Sequence, residues 1–204
     1  MFKKMCLFVF AAVFMVSAVA VYAQEEMEKK PPSYVKDPEN SVWIILTKKP
    51  QKNGLYLLEK GAEGDNEPVT KGGREAWQSK GVNNAVPDNP DASPFMYFRI
   101  TKKIFKKGAA PKVKIIVEYF DEGEAEVGLE YDSSDESVNK CQIPGAFKDH
   151  AEKIVMENTG KWKTYTFEIE DARFDNGCNG QDFRFNFPGG YNFTVASVAV
   201  IKGK

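Results

Sequence analysis

The sequence predicts an all-β fold, a two-sheet β-sandwich or jelly roll, on three observations. The first is alternation. From Asp182 to Phe187, Phe183, Phe185 and Phe187 point one way while Asp182, Arg184 and Asn186 point the other, the period of a strand buried on one side. The second is spacing, with about ten short runs of this kind separated by turns rich in Gly, Asn, Asp and Pro. The third is that no run after the first 23 residues carries a convincing helical period. Aromatic residues make up 13% of the chain, which suits either a thick β core or an aromatic binding surface.

The first segment, residues 1–23, reads as a signal peptide. Lys3 and Lys4 form a short basic end, Met5 to Val21 carries no charge, and Val21-Tyr22-Ala23 offers a cleavage site before Gln24. The alternative is a retained anchor, for which the uncharged run is at the short end. Cys6 precedes the apolar run instead of ending it, which argues against a lipoprotein. The expected location is outside the cytoplasm: periplasmic, cell-surface or extracellular.

Residues 24–40 read as a flexible linker, with Pro31-Pro32, Pro38 and few apolar side chains to offset chain entropy. Residues 41–204 then form one domain, long enough for a substantial core. The whole chain carries 28 basic and 29 acidic residues. Without Lys3 and Lys4 the balance is 26 to 29, a formal −3, and nothing in it suggests a nucleic-acid partner, which would want a net basic surface. Two cysteines remain after the signal, Cys141 and Cys178. In an oxidising compartment their simplest state is a disulfide, stabilising by about 4 kcal/mol in the chain-entropy model. The alternatives are two free thiols or half of a metal site. One histidine, His150, and no close cysteine spacing give zinc little support.

Taken in order, Val42 to Thr47 is a first strand, Asn53-Gly54 a turn, and Leu55 to Glu59 a second short strand. Gly61 to Gly73 reads as a loop, Arg74 to Gln78 as a strand, and Ser79 to Pro94 as a long connection of a length that is uncommon without a function. Phe95 to Ile100 resumes β character. Lys102, Lys103, Lys106 and Lys107 around Ile104-Phe105 read as a solvated turn with an apolar tuck. In Val113 to Phe120, Val113, Ile115, Val117 and Tyr119 make one face, and Ile116 and Phe120 on the other place the strand centrally. The turn Asp121 to Glu124 should join it to Val127–Tyr131 as a hairpin. Ala151 to Glu157, Trp162 to Ile169 and Phe193 to Lys202 complete the strands. In Trp162–Ile169, Lys163, Tyr165, Phe167 and Ile169 share a face, and Trp162 reads as a lid on the core.

Several segments bear on a family. Tyr119-Phe120-Asp121-Glu122-Gly123 is followed by Gly128-Leu129-Glu130-Tyr131-Asp132-Ser133. Gly160-Lys161-Trp162-Lys163-Thr164 continues to Asp171-Ala172-Arg173-Phe174. Asn179-Gly180-Gln181-Asp182-Phe183-Arg184 leads to a strand ending Val198-Ala199-Val200, with Gly72-Gly73-Arg74-Glu75-Ala76 upstream. These segments resemble the galactose-binding-like jelly-roll modules that accompany secreted bacterial polysaccharide-degrading enzymes. The resemblance covers roughly Gly54 to Lys202, and it implies a jelly roll and carbohydrate binding.

Sugar binding by a sandwich needs aromatic faces for the rings and amides, carboxylates or Arg for the hydroxyls. The residues of those types outside the obvious core faces are Arg74 and Trp77, Tyr131 and Asp132, and Asn179 and Asp182. For the aromatics the competing role is burial, and for the aspartates it is capping of backbone amides. Asp65, Asn66 and Glu67, or Asp121, Glu122 and Glu124, could hold a structural calcium, although neither has an established calcium-loop spacing. No other cofactor is expected. His150 lies in a polar loop between Asp149 and Glu152, and no carboxylate spacing singles out a glycosidase pair. The reading is therefore a non-catalytic exported glycan-binding module. Its rival is a structural or protein-interaction sandwich with an envelope protein partner, and a small glycan-active enzyme comes third.

Overall fold

Two antiparallel sheets pack face to face in the computed structural model of the chain, which describes residues 30–61, 64–79, 95–188 and 190–203. The strands are β1 (Ser41–Ile45), β2 (Gln51–Asn53), β3 (Leu55–Leu57), β4 (Lys60–Gly61), β5 (Gly64–Lys71), β6 (Arg74–Ser79) and β7 (Phe95–Ile100). After a 3-10 turn at Lys103–Phe105 come β8 (Val113–Asp121), β9 (Glu126–Tyr131), β10 (Lys148–Asp149), β11 (Ile154–Val155), β12 (Lys161–Ile169), β13 (Phe183–Asn186) and β14 (Thr194–Lys202). The first sheet runs β12-β8-β14-β6-β5-β4, with β1 also on β14 and β2 on β1. The second runs β10-β9-β13-β7-β3, with β11 on β9.

The alternation seen in the sequence sets which side chains meet. Val113, Ile115, Val117 and Tyr119 of β8 face Phe183, Phe185 and Phe187 across one continuous core. Phe185 packs edge-on to Phe98 at 5.7 Å and to Phe193 at 5.6 Å, the tilted geometry that aromatic quadrupoles favour. Ile116 and Phe120 are also covered, at 9% and 8% exposure, as expected for a central strand between β12 and β14. The apolar tuck among the lysines is real as well: Phe105 is fully buried while Ile104 stays 40% exposed.

Two expectations are corrected. The strands β8 and β9 do not form a hairpin: β8 pairs with β12 and β14, whereas β9 pairs with β10, β11 and β13. The short turn between them carries the chain from one sheet to the other. Asp121 fixes that crossing. Fully buried, its carboxylate accepts from the amides of Glu157 (2.8 Å) and Thr159 (3.2 Å) and from Lys163 Nζ (2.7 Å). The second correction concerns the boundary of the domain, which begins at Pro31 and not at Ser41. Val35 is 5% exposed against Trp43 and Ala199, and Tyr34 Oη lies 3.0 Å from Ser197 Oγ. This strap is tied by Val35 N donating to Pro32 O at 2.9 Å. The signal segment 1–23, most of the connection 79–94 and the start of the linker lie outside the described residues.

Candidate functional site

Four of the six site residues expected from the sequence serve the fold. Trp77 is 5% exposed, and its Nε1 donates to Thr47 O at 2.8 Å. Tyr131, 4% exposed, donates its hydroxyl to Asp171 at 2.7 Å, and burial pushes its phenol above the ordinary range. Asp132 is fully buried and accepts from Arg173 Nε (3.0 Å) and from the amides of Asp175 (2.6 Å) and Gly177 (3.1 Å). Asp182, equally buried, accepts from Ile100 N (2.6 Å), Lys106 Nζ (2.6 Å) and Asn176 N (3.1 Å). Both carboxylates pin the loop between β12 and β13, whose backbone amides would otherwise be buried without partners.

The remaining two lie apart, Arg74 on β6 of the first sheet and Asn179 in the turn before β13. Arg74 grips Glu118 with two bonds of 2.6 and 2.8 Å and lies over the Trp162 ring at 5.1 Å, on the outer face of the first sheet. Part of that face is covered by the chain itself, through the strap at Tyr34 and Val35 and the β5–β6 turn, where Lys71 reaches Glu122 at 2.6 Å. Asn179 is exposed, with φ of 52°, and its amide donates to Tyr97 Oη at 3.2 Å on the second sheet.

The expected disulfide is also corrected. Cys141 and Cys178 are both free thiols. Cys178 is tucked among Tyr97, Ala146 and Phe147 by a tight turn to Gln181, and burial pushes its thiol up to about 12. Cys141 sits on an exposed turn, its Sγ 3.5 Å from Ile143 O. As for calcium, among the described residues no group of three His, Cys, Asp or Glu side chains could hold a metal. Asp121 is served by Lys163, Glu122 is paired with Lys71, and Asn66 donates to Leu58 O.

A second set of side chains lies on the outer face of the second sheet, whose centre is packed over by Ala146, Phe147 and Cys178 and whose β3 edge is open at Tyr56 and Arg99. On β7, Phe95, Tyr97 and Arg99 point away from the core; on β13, Arg184 and Asn186; on β9, Gly128 and Glu130. Register lines them up in rows. Tyr97 is opposite Arg184, Arg184 opposite Glu130, and Glu130 opposite Asp149; Phe95 is opposite Asn186, and Asn186 opposite Gly128; Tyr56 is opposite Arg99.

The first row is a charge ladder. Arg184 Nε donates to Glu130 at 2.6 Å, and Lys140 bridges Glu130 (2.8 Å) and Asp149 (2.7 Å), offsetting two like charges set directly opposite each other. Burial alone would raise the Glu130 carboxyl, but its bonds from Arg184 and Lys140 outweigh that and hold it below the usual range. Arg184 also donates to Tyr97 Oη and lies 3.6 Å over Phe95 and 4.3 Å over Phe147, a cation–π clamp that fixes the centre of the face. Around this centre the other groups reach solvent. Tyr56 is 38% exposed with Lys52 Nζ 5.2 Å over its ring, Arg99 is exposed, and Phe95 and Asn186 are half-buried. A Cβ at Gly128 would fall 2.3 Å from Asn186 Oδ1, so only glycine lets that amide lie across β9. The Asn186 amide has no hydrogen-bond partner among the described residues.

Sequence reasoning missed Tyr56, Phe95, Arg99 and Asn186 as one surface. The outward positions of Arg184 and Asn186 were readable from the alternation in β13. In β7 nearly every residue is apolar or aromatic, so periodicity names no face there.

No protein-family model and no curated protein matches the chain. Among solved structures, it is similar to the family 22 carbohydrate-binding and catalytic modules of Clostridium thermocellum endo-1,4-β-D-xylanase 10B complexed with xylohexaose: 12% identity over 74% of this chain and 26% of that one, TM-score 0.40. It is similar to the C-terminal family 6 carbohydrate-binding module of LamC, a laminarinase of Zobellia galactanivorans: 12% identity, 80% and 100% coverage, TM-score 0.41. A family 29 carbohydrate-binding module from Piromyces equi gives 12% identity, 80% and 91% coverage, and TM-score 0.42. The chain thus spans about a quarter of the length of the xylanase structure. Identities and scores this low leave function to be argued from the side chains themselves.

Proposed function

We propose that this chain is an exported, non-catalytic protein of the carbohydrate-binding-module kind, holding a glycan on the outer face of its second sheet. The observation that supports this reading is the in-register placing of rings beside hydrogen-bonding groups: the exposed Tyr56 by Arg99, and the half-buried Phe95 by Asn186. A pyranose offers an apolar ring face and a rim of hydroxyls, so its site needs flat aromatic surface and fixed donors and acceptors within reach of it. The Arg184–Glu130–Lys140 ladder holds the Phe95 ring in place before binding, which lowers the ordering cost. The non-catalytic reading rests on the use of the one histidine. His150 Nε2 lies 3.0 Å from Glu168 O, and its ring meets Phe167 edge-on at 5.1 Å, a structural placement.

The experiment is a binding screen of the mature chain, residues 24–204, against soluble and insoluble polysaccharides. It would be run beside Tyr56→Ala and Asn186→Ala, with Thr164→Ala on the first sheet as a control. Saturable binding weakened about tenfold or more by the first two substitutions and unchanged by the third is the expected result. An absence of binding across neutral and charged glycans would overturn the proposal.

A further inference from the structure

We infer that the glycan taken by this face is anionic, a uronate-bearing or sulfated polysaccharide; this rests on the reading of the face as a glycan site. The basis is where the cations are and what they touch. On the half of the chain from Lys112 onward, most cations are spent in pairs, among them Lys112 with Glu170, Lys114 with Glu168, Lys148 with Asp171, Lys153 with Glu126, Arg173 with Asp132 and Arg184 with Glu130. At the β3 edge of the second sheet the pattern reverses. Lys52 and Arg99 have no carboxylate partner among the described residues, and both flank the exposed ring of Tyr56. Lys52 Nζ is 5.2 Å above that ring, and Arg99 is directly opposite it on β7. Next to them Lys102 is engaged by neutral groups, donating to Ser41 O at 2.8 Å.

This geometry suits an acidic sugar. An acidic sugar can lie against Tyr56 with its carboxylate or sulfate meeting the planar fork of Arg99 and the Lys52 ammonium that caps the ring. A neutral glycan would leave two cations beside the aromatic surface with nothing to answer them. The sequence balance of −3 hides the feature because it is local.

The test is the binding of the mature chain to polygalacturonate and to its fully methyl-esterified form, and to dextran sulfate and dextran, at low and high salt. The expected result is binding of at least one acidic polymer about tenfold or more tighter than its uncharged counterpart. Binding should weaken as salt screens the exposed charges and fall about tenfold with Arg99→Ala and with Tyr56→Ala. Arg99→Lys should restore part of the sulfate binding but little of the carboxylate binding. Which polymer of the two pairs binds distinguishes a uronate from a sulfate ligand. Equal, salt-insensitive binding of charged and uncharged forms would overturn the inference and leave glycan binding intact. An equal loss with Lys161→Ala, an exposed lysine on β12, would overturn it as a diffuse charge effect. Failure to bind any glycan in this set or in the neutral screen would overturn the function itself.

Discussion

At the scale of single residues, polar groups that resembled ligand contacts are structural because the connections fold back over the strand ends. Asp132 shows this most sharply: fully buried, it answers one guanidinium and two backbone amides. Asp132→Ala should lower unfolding free energy by about 3–5 kcal/mol, the cost of stranding a partner of a buried ion pair, as read by urea titration. A change under about 1 kcal/mol would show that the loop is held by other contacts. The two thiols make a second prediction. Cys141 should react with iodoacetamide in the native protein and Cys178 only after unfolding, since Cys178 is buried with its thiol raised to about 12. The melting temperature should accordingly be unmoved by reductant.

At the scale of elements, the strap Pro31–Lys36 and the crossings between sheets carry the information that composition did not show. Pro31-Pro32-Ser33 looks like linker, yet the fixed geometry of the prolines aims Tyr34 and Val35 at β1 and β14. A chain starting at Ser41 should be less stable than one starting at Pro31 by about 2–4 kcal/mol, from burial of the two side chains. Equal urea midpoints for the two chains would contradict that. The alternation in β8 and β13 made their buried faces legible, and the outward pair Arg184 and Asn186 with them. Which strands pair was not legible, because a short polar turn such as 122–125 suits a hairpin and a sheet-to-sheet crossing equally well. The crossing is decided by Asp121 and Lys163, residues 42 positions apart in sequence. The site was only half legible for a related reason: Tyr56 and Arg99 become neighbours through the β3–β7 register alone.

At the scale of the whole molecule, the chain's own segments cover part of one face and the centre of the other, whose β3 edge presents the Tyr56 ring beside cations that have no carboxylate partner among the described residues. The electrostatics that hold this arrangement predict its pH response. Asp121, Glu130 and Asp171 are all held below ordinary carboxyl values of 3.8–4.5; for each, burial opposes the charge and hydrogen bonds from Lys163, Arg184 and Lys148 respectively prevail. A depressed folded-state value means stability that is fully present above the unfolded value and is lost as pH falls through the folded one. The urea midpoint should therefore be level near neutral pH and decline below about pH 4. A midpoint that holds from pH 7 to pH 3 would contradict these contacts. The central claim, that the outer face of the second sheet binds glycan, is tested most directly by mapping backbone amide shifts of the mature chain during titration with a bound oligosaccharide. The account predicts shifts concentrated at Tyr56, Phe95, Arg99, Asn179 and Asn186, whereas shifts concentrated around Arg74, Trp162 and Thr164 on the first sheet would contradict it.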